Sequence, residues 1–179
     1  MQDDILTSVF FPRHQKARIL SEFPERVYTQ TEVEKAKELI RKGYKHRLAI
    51  RGSSRFRNKV QEALELVKVA GYYDFLRTYL RRIEEIDGLT QLRQADAAIW
   101  ANSYAVKNPA DAASFFVQKA DSMERYLEGE LYYGGQAEKR SDQKRIEFLQ
   151  VLRSKSKDKK VIEECDRLLN MWNESSLVY

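Results

Sequence analysis

Cysteine, histidine, proline and glycine are all scarce in this chain, at one, two, three and seven among 179 residues. A single cysteine, Cys165, excludes an internal disulfide, and with only two histidines it cannot build the usual Cys/His zinc frameworks. Long apolar runs are missing as well. None approaches the ~18 consecutive residues that a membrane span needs, and the opening "MQDDILTSVFFPRHQK" starts with acids and has no apolar signal-peptide core. Internal repeats are absent, and the one low-complexity tract is the basic "RSKSKDKK", which reads as a linker between helices. Together these absences predict a soluble, unexported protein of a reducing, cytoplasmic setting, with no membrane partner and no cofactor.

A hydrophobic content of 42% is enough for one domain spanning 1–179. Thirty-two Lys and Arg against 27 Asp and Glu leave a charge of +5, which permits attraction to polyanions without demanding it. Pro12 and Pro24 fall in 1–30, a stretch without periodicity that reads as an irregular arm. Beyond it, "TQTEVEKAKELIRKG" offers a capping box at Thr31 and Glu34, a narrow stripe of Ala36, Leu39 and Ile40, and a stop at Gly43. "HRLAIRGSS" reads as a short strand about Leu48 and Ile50 that turns into a helix cap. Phe56, Val60, Ala63, Leu64 and Val67 then recur at helical spacing. After Gly71 a second helical pattern runs through Phe75, Leu76, Tyr79, Leu80, Ile83 and Ile86 to the stop at Asp87-Gly88.

The segment Ala97 to Val106 is expected to be a strand, because Trp100, Tyr104 and Val106 alternate with small or polar residues. Asn108 and Pro109 open the next helix as N-cap and N1, and Gly129 closes it. A further helix carries Ala137, Phe148, Leu149 and Leu152. The last, near 158–172, places Val161, Cys165, Leu168, Leu169 and Trp172 inward, making Cys165 a small core residue. The predicted class is α+β, helix-rich, with a small sheet of three or four strands packed on long helices.

In this order of elements, a strand with "RGSSRF", two helices, a strand, "ASFFVQKADSMERYLEG" and "YYGGQAEKRSDQKRIEFLQVL" resemble bacterial zincin-like metallopeptidase domains over residues 47–172. In that family the corresponding helix carries HExxH, and the next supplies a glutamate as third zinc ligand. Histidines at i and i+4 share a helical face and grip one Zn²⁺, while the glutamate between them activates the bound water. The resemblance puts Gln118 and Ser122 where the histidines would be, Lys119 where the general base would be, and Glu138 at the third ligand. An amide and a hydroxyl are poor zinc ligands, and a protonated lysine neither accepts a proton nor tolerates a neighbouring dication. The resemblance therefore implies a vestigial cleft of Gln118, Lys119, Ser122 and Glu138, with no metal and no catalysis. Two roles for Lys119 stay open: its ammonium reaches Glu138 and replaces the metal, or residues 118, 119 and 122 lie on a solvated face.

Other patterns compete. Ser122 and Lys119 are one turn apart, as in serine–lysine hydrolases, but no oxyanion-hole motif accompanies them. Ser53 and Ser54 lack phosphate-loop spacing and read as helix caps, while His14 and His46 read as isolated surface histidines. Between Leu39 and Gln61 stand Arg41, Lys42, Lys45, Arg47, Arg51, Arg55, Arg57 and Lys59 with no acid among them. With Tyr44, Phe56, Arg77, Arg81 and Arg82 they could form a nucleic-acid or polyanion surface. The leading expectation is a non-catalytic zincin-like module that takes a peptide or protein partner by strand addition, with Ala97 to Val106 as the expected sheet edge.

Overall fold

The structure, a computed structural model, describes residues 23–131 and 133–176. The first 22 residues of the expected arm, His14 with them, lie outside the described residues. Among the described residues, six α-helices and a four-stranded mixed sheet give the α+β class expected from the sequence. In chain order they are α1 (Gln30–Arg41), β1 (Ala49–Arg51), α2 (Ser54–Ala70), α3 (Tyr73–Tyr79), β2 (Arg82–Glu85), β3 (Gln91–Arg93), β4 (Ala98–Ala101), α4 (Pro109–Leu127), α5 (Gly135–Lys155) and α6 (Lys159–Ser176).

The strands lie in the order β1-β2-β4-β3, with β1, β2 and β4 parallel and β3 antiparallel to β4. Register sets Ile50, Ile83, Ile99 and Leu92 side by side, and alternation puts Arg51, Glu84, Trp100 and Gln91 on the opposite face. The isoleucine row packs into the core and the polar row stays partly or fully exposed. The register is thereby fixed, since a slip of one residue would bury the charges.

Gly52 joins β1 to α2 with φ +146°, and a Cβ there would stand 2.5 Å from the Glu85 Cβ. That close approach lets the carboxylate of Glu85 accept from the Ser53 amide at 2.6 Å and from its hydroxyl at 3.1 Å, while Ser53 Oγ accepts from the Phe56 amide. The first turn of α2 holds no acid of its own, so β2 supplies the negative charge that its positive end favours.

Three expectations are corrected here. The capping box of α1 is Thr29 with Glu32, two residues before the expected pair. Ile83 sits on β2 and Ile86 follows it, because α3 stops at Tyr79 and the chain is extended from Leu80. The strand expected over Ala97 to Val106 is only Ala98–Ala101: Ala97 takes a left-handed turn and Asn102 opens a turn held by its Oδ1 to the Ala105 amide. More consequentially, β4 is flanked by β2 and β3, so it is not an edge and cannot accept a partner's strand.

His46 is a fourth correction: it is 2% exposed rather than on the surface. Its ring meets Phe23 and Tyr44 edge-on at centroid distances of 4.4 and 5.0 Å, and its Nε2 has no hydrogen-bond partner. Burial, aided by the nearby Arg81 cation, lowers its pKa to about 4. The unfolded chain then takes up a proton below about pH 6.5 that the folded chain refuses until about pH 4, so this contribution is intact above 6.5 and is lost as pH falls. The loss is on the order of 3 kcal/mol across that window. Urea unfolding of the protein at pH 7 and pH 4.5 should show it, and His46→Phe should flatten the difference; an unchanged pH dependence in the variant would refute the assignment.

Candidate functional site

α4 is buried almost all round. Ala110, Ala112, Ala113, Phe116, Val117, Ala120, Met123 and Leu127 are in the core, yet Ser114, Gln118, Asp121 and Ser122 are buried with them. Asn108 caps the helix by accepting from the Asp111 amide at 3.0 Å, with Pro109 at its first position as expected. Small alanines let neighbouring helices approach closely, and the buried polar residues mark a seam along which α5 lies.

Burial of those polar groups is tolerable only where they are bonded. Arg145, on α5, reaches back to α4: its Nε donates to Ser114 Oγ at 3.1 Å and its NH2 to the Asp111 carboxylate at 2.5 Å. Ser114 Oγ in turn donates to the Asp111 carbonyl. Asp121 is 5% exposed and accepts from Arg125 Nε at 2.9 Å, with Lys144 Nζ at 3.9 Å. The Arg145 guanidinium lies 4.8 Å from the Trp172 ring centroid, and Lys144 lies over Tyr72 and Phe75, so α3, α5 and α6 all meet at this seam.

The residues expected in the vestigial cleft fall here, but not as one constellation. Gln118 and Ser122 are buried, at 7% and 8% exposure, which removes the solvated-face alternative for them. The Ser122 hydroxyl donates to the carbonyl of Gln118 at 3.1 Å, a bond within the helix that does not engage Lys119. Lys119 is half-buried, with its ammonium 5.1 Å from the Phe115 ring centroid. Desolvation lowers its pKa, the Arg145 cation lowers it further, and Asp142 is the acid that opposes them. Glu138 is exposed on the first turn of α5 and is not among the groups acting on Lys119. Asp142, one turn further along α5, is the acid of that helix whose charge acts on Lys119, without forming an ion pair with it. Burial raises its own carboxyl pKa while Arg145 and Lys119 lower it. Sequence reasoning missed Asp142, Arg145 and Asp121; the signal available was the i, i+3 and i+4 spacing of charged residues on α5 opposite those on α4.

The basic stretch divides. Lys42 pairs with Glu38, Lys59 with Glu62 and Arg41 with Glu34, while Arg57 bonds the Gly52 carbonyl and Ser54. Lys45, Arg47, Arg51 and Arg55 are exposed, and their side chains make no hydrogen bond or ion pair among the described residues. The other members expected of a nucleic-acid surface are engaged inside the protein. Phe56 is in the core, Tyr44 stacks on Phe23, Arg77 bonds the His46 carbonyl, Arg81 bonds the carbonyls of Pro24 and Glu25, and Arg82 pairs with Glu84. Two cavities of about 270 and 530 Å³ share Tyr104 and Lys107 in the loop after β4, and none of the four cleft residues lines either. Among the described residues, no group of three or more His, Cys, Asp or Glu is placed to hold a metal ion, and no helix is long and apolar enough to cross a membrane.

Comparison with protein families, with curated proteins and with solved structures finds no match for this chain.

Two of the influences on Lys119, desolvation and the Arg145 cation, oppose its charge. Lys119→Met keeps the packing of the side-chain stem and removes that charge. Its thermal unfolding should leave stability unchanged or raise it by up to about 1 kcal/mol. A clear destabilisation would show instead that the ammonium is a structural stand-in for a metal.

Proposed function

We propose that this chain is a non-catalytic, zincin-like binding module that takes a peptide or protein partner in extended form at a free edge of its sheet. One observation carries the reading. On α4 an amide, an ammonium and a hydroxyl stand at the spacing of the family's His, Glu and His, and the hydroxyl is spent on the helix's own backbone. An ammonium at the second position cannot remove a proton from water, and its charge opposes a dication nearby. Further support comes from the order of elements, in which a small mixed sheet precedes α4 and a helix bearing Glu138 follows it. Among the described residues the sheet has two edges, β1 and β3, and backbone hydrogen bonding at an edge requires no catalytic group.

The resemblance is tested by restoring the motif. Gln118→His, Lys119→Glu and Ser122→His together should give a protein that binds one Zn²⁺ per chain, measured by elemental analysis and calorimetry. Adding Asp142→Ala, which removes the α5 acid that acts on position 119, should weaken that binding by about tenfold or more. A folded triple variant that takes up no zinc would contradict the zincin-like reading. One zinc per chain in the unmodified protein would contradict the non-catalytic one.

A further inference from the structure

Among the described residues, β1 forms one border of the sheet and pairs only with β2. Among the described residues, no backbone group of 47–51 bonds to anything on its other side. Such an edge is a template for another strand. What distinguishes it from β3 is charge. Arg47 and Arg51 lie four residues apart along the extended segment that ends in β1, with Lys45 before them and Arg55 after, and all four are exposed without partners. Arg51 stands beside Glu84 in the register, yet the Glu84 carboxylate is held at 2.9 Å by Arg82 of its own strand. The acid that faces Arg51 on the neighbouring strand is therefore already engaged.

The positive surface continues past the end of the strand. The cavity of about 270 Å³ at the carboxyl end of β1 is lined by Arg55 and Lys107 together with Lys59, which pairs with Glu62, and its one acid, Glu85, is committed to the Ser53 cap. Lys107 also makes no side-chain contact with an acid among the described residues.

We infer that β1 is the docking edge, and that its partner is an acidic peptide segment that adds as a fifth strand and sets its carboxylates against Arg47 and Arg51. This rests on the binding-module reading above and names the edge and the chemistry of the partner. An extended peptide is favoured over nucleic acid because the edge offers a row of backbone donors and acceptors, whereas of the aromatic rings of the basic stretch Phe56 is buried and Tyr44, half-buried, is already stacked on Phe23. Alternation matters: only every second residue of an added strand faces the arginine side, so acids at alternate positions complement it.

The test uses a fluorescein-labelled heptapeptide of alternating glutamate with valine or threonine, its glutamine counterpart, the same glutamate peptide N-methylated at alternate amides, and oligothymidylate. Each is titrated against the full chain by fluorescence anisotropy. The glutamate peptide should bind about tenfold or more tightly than the glutamine peptide, and N-methylation should abolish binding. Arg47→Glu with Arg51→Glu should weaken binding by about tenfold or more, while Arg47→Lys with Arg51→Lys should keep it within about threefold. Circular dichroism checks that both variants fold. Equal binding of the glutamate and glutamine peptides, unaffected by charge reversal, would overturn β1 as the edge and leave addition at β3 standing. Equal binding of the N-methylated peptide or of oligothymidylate would overturn strand addition itself, in favour of a general polyanion surface. No binding of the glutamate peptide would overturn the inference outright.

Discussion

The Arg145 guanidinium is the contact on which the helical layer depends. It bonds Ser114 and Asp111 on α4, belongs to α5 and stacks on Trp172 of α6, so one side chain fixes the relation of three helices. Its exposure of 12% means that it is held away from water and must be bonded to stay there. Burial lowers its pKa and the Asp111 and Asp142 carboxylates raise it, a balance that leaves it charged because arginine starts so high. An apolar seam would have left Ser114 without the Arg145 partner it has. A polar one gives α5 a single register on α4.

The same seam governs what the site can do. Lys119, Lys144 and Arg145 face Asp111, Asp121 and Asp142 across it, three cations against three acids. Asp111 is bonded to Arg145 and Asp121 to Arg125 with Lys144 beside it, so a divalent ion taking either carboxylate would have to displace a bonded cation. Asp111, Ser114 and Asp121 of α4 are thus bound up in its packing with α5 and its own last turns, while unpaired exposed cations stand on β1 and the first turn of α2.

Much of this was legible in the sequence, because it is local. Asn108 with Pro109, Ser53 and Gly71 announce helix ends through chemistry confined to one turn, and each stands where expected. The face of α2 and the burial of Cys165 followed from periodicity alone. The capping box of α1 slipped because "TQTEVE" satisfies the same pattern in two frames, and only the approach of Tyr28 and Thr29 to Glu32 chooses between them. Ile83 and Ile86 continue the spacing of α3 by coincidence. Nothing local reveals that the chain becomes extended at Leu80 to pair with β1 and β4. Strand order is a non-local property, so the interior position of β4 was out of reach. The burial of His46 depends on Phe23, far from it in the chain, and the choice of Asp142 over Glu138 depends on how α5 is rotated against α4.

The central claim is that the α4–α5 seam is a closed, ion-paired structural contact anchored by Arg145. A double-mutant cycle tests it most directly, with unfolding free energies measured for the parent, Asp111→Ala, Arg145→Met and the pair. Coupling of about 1 kcal/mol or more between the two positions is the predicted result. Strictly additive effects, with no coupling, would contradict the account.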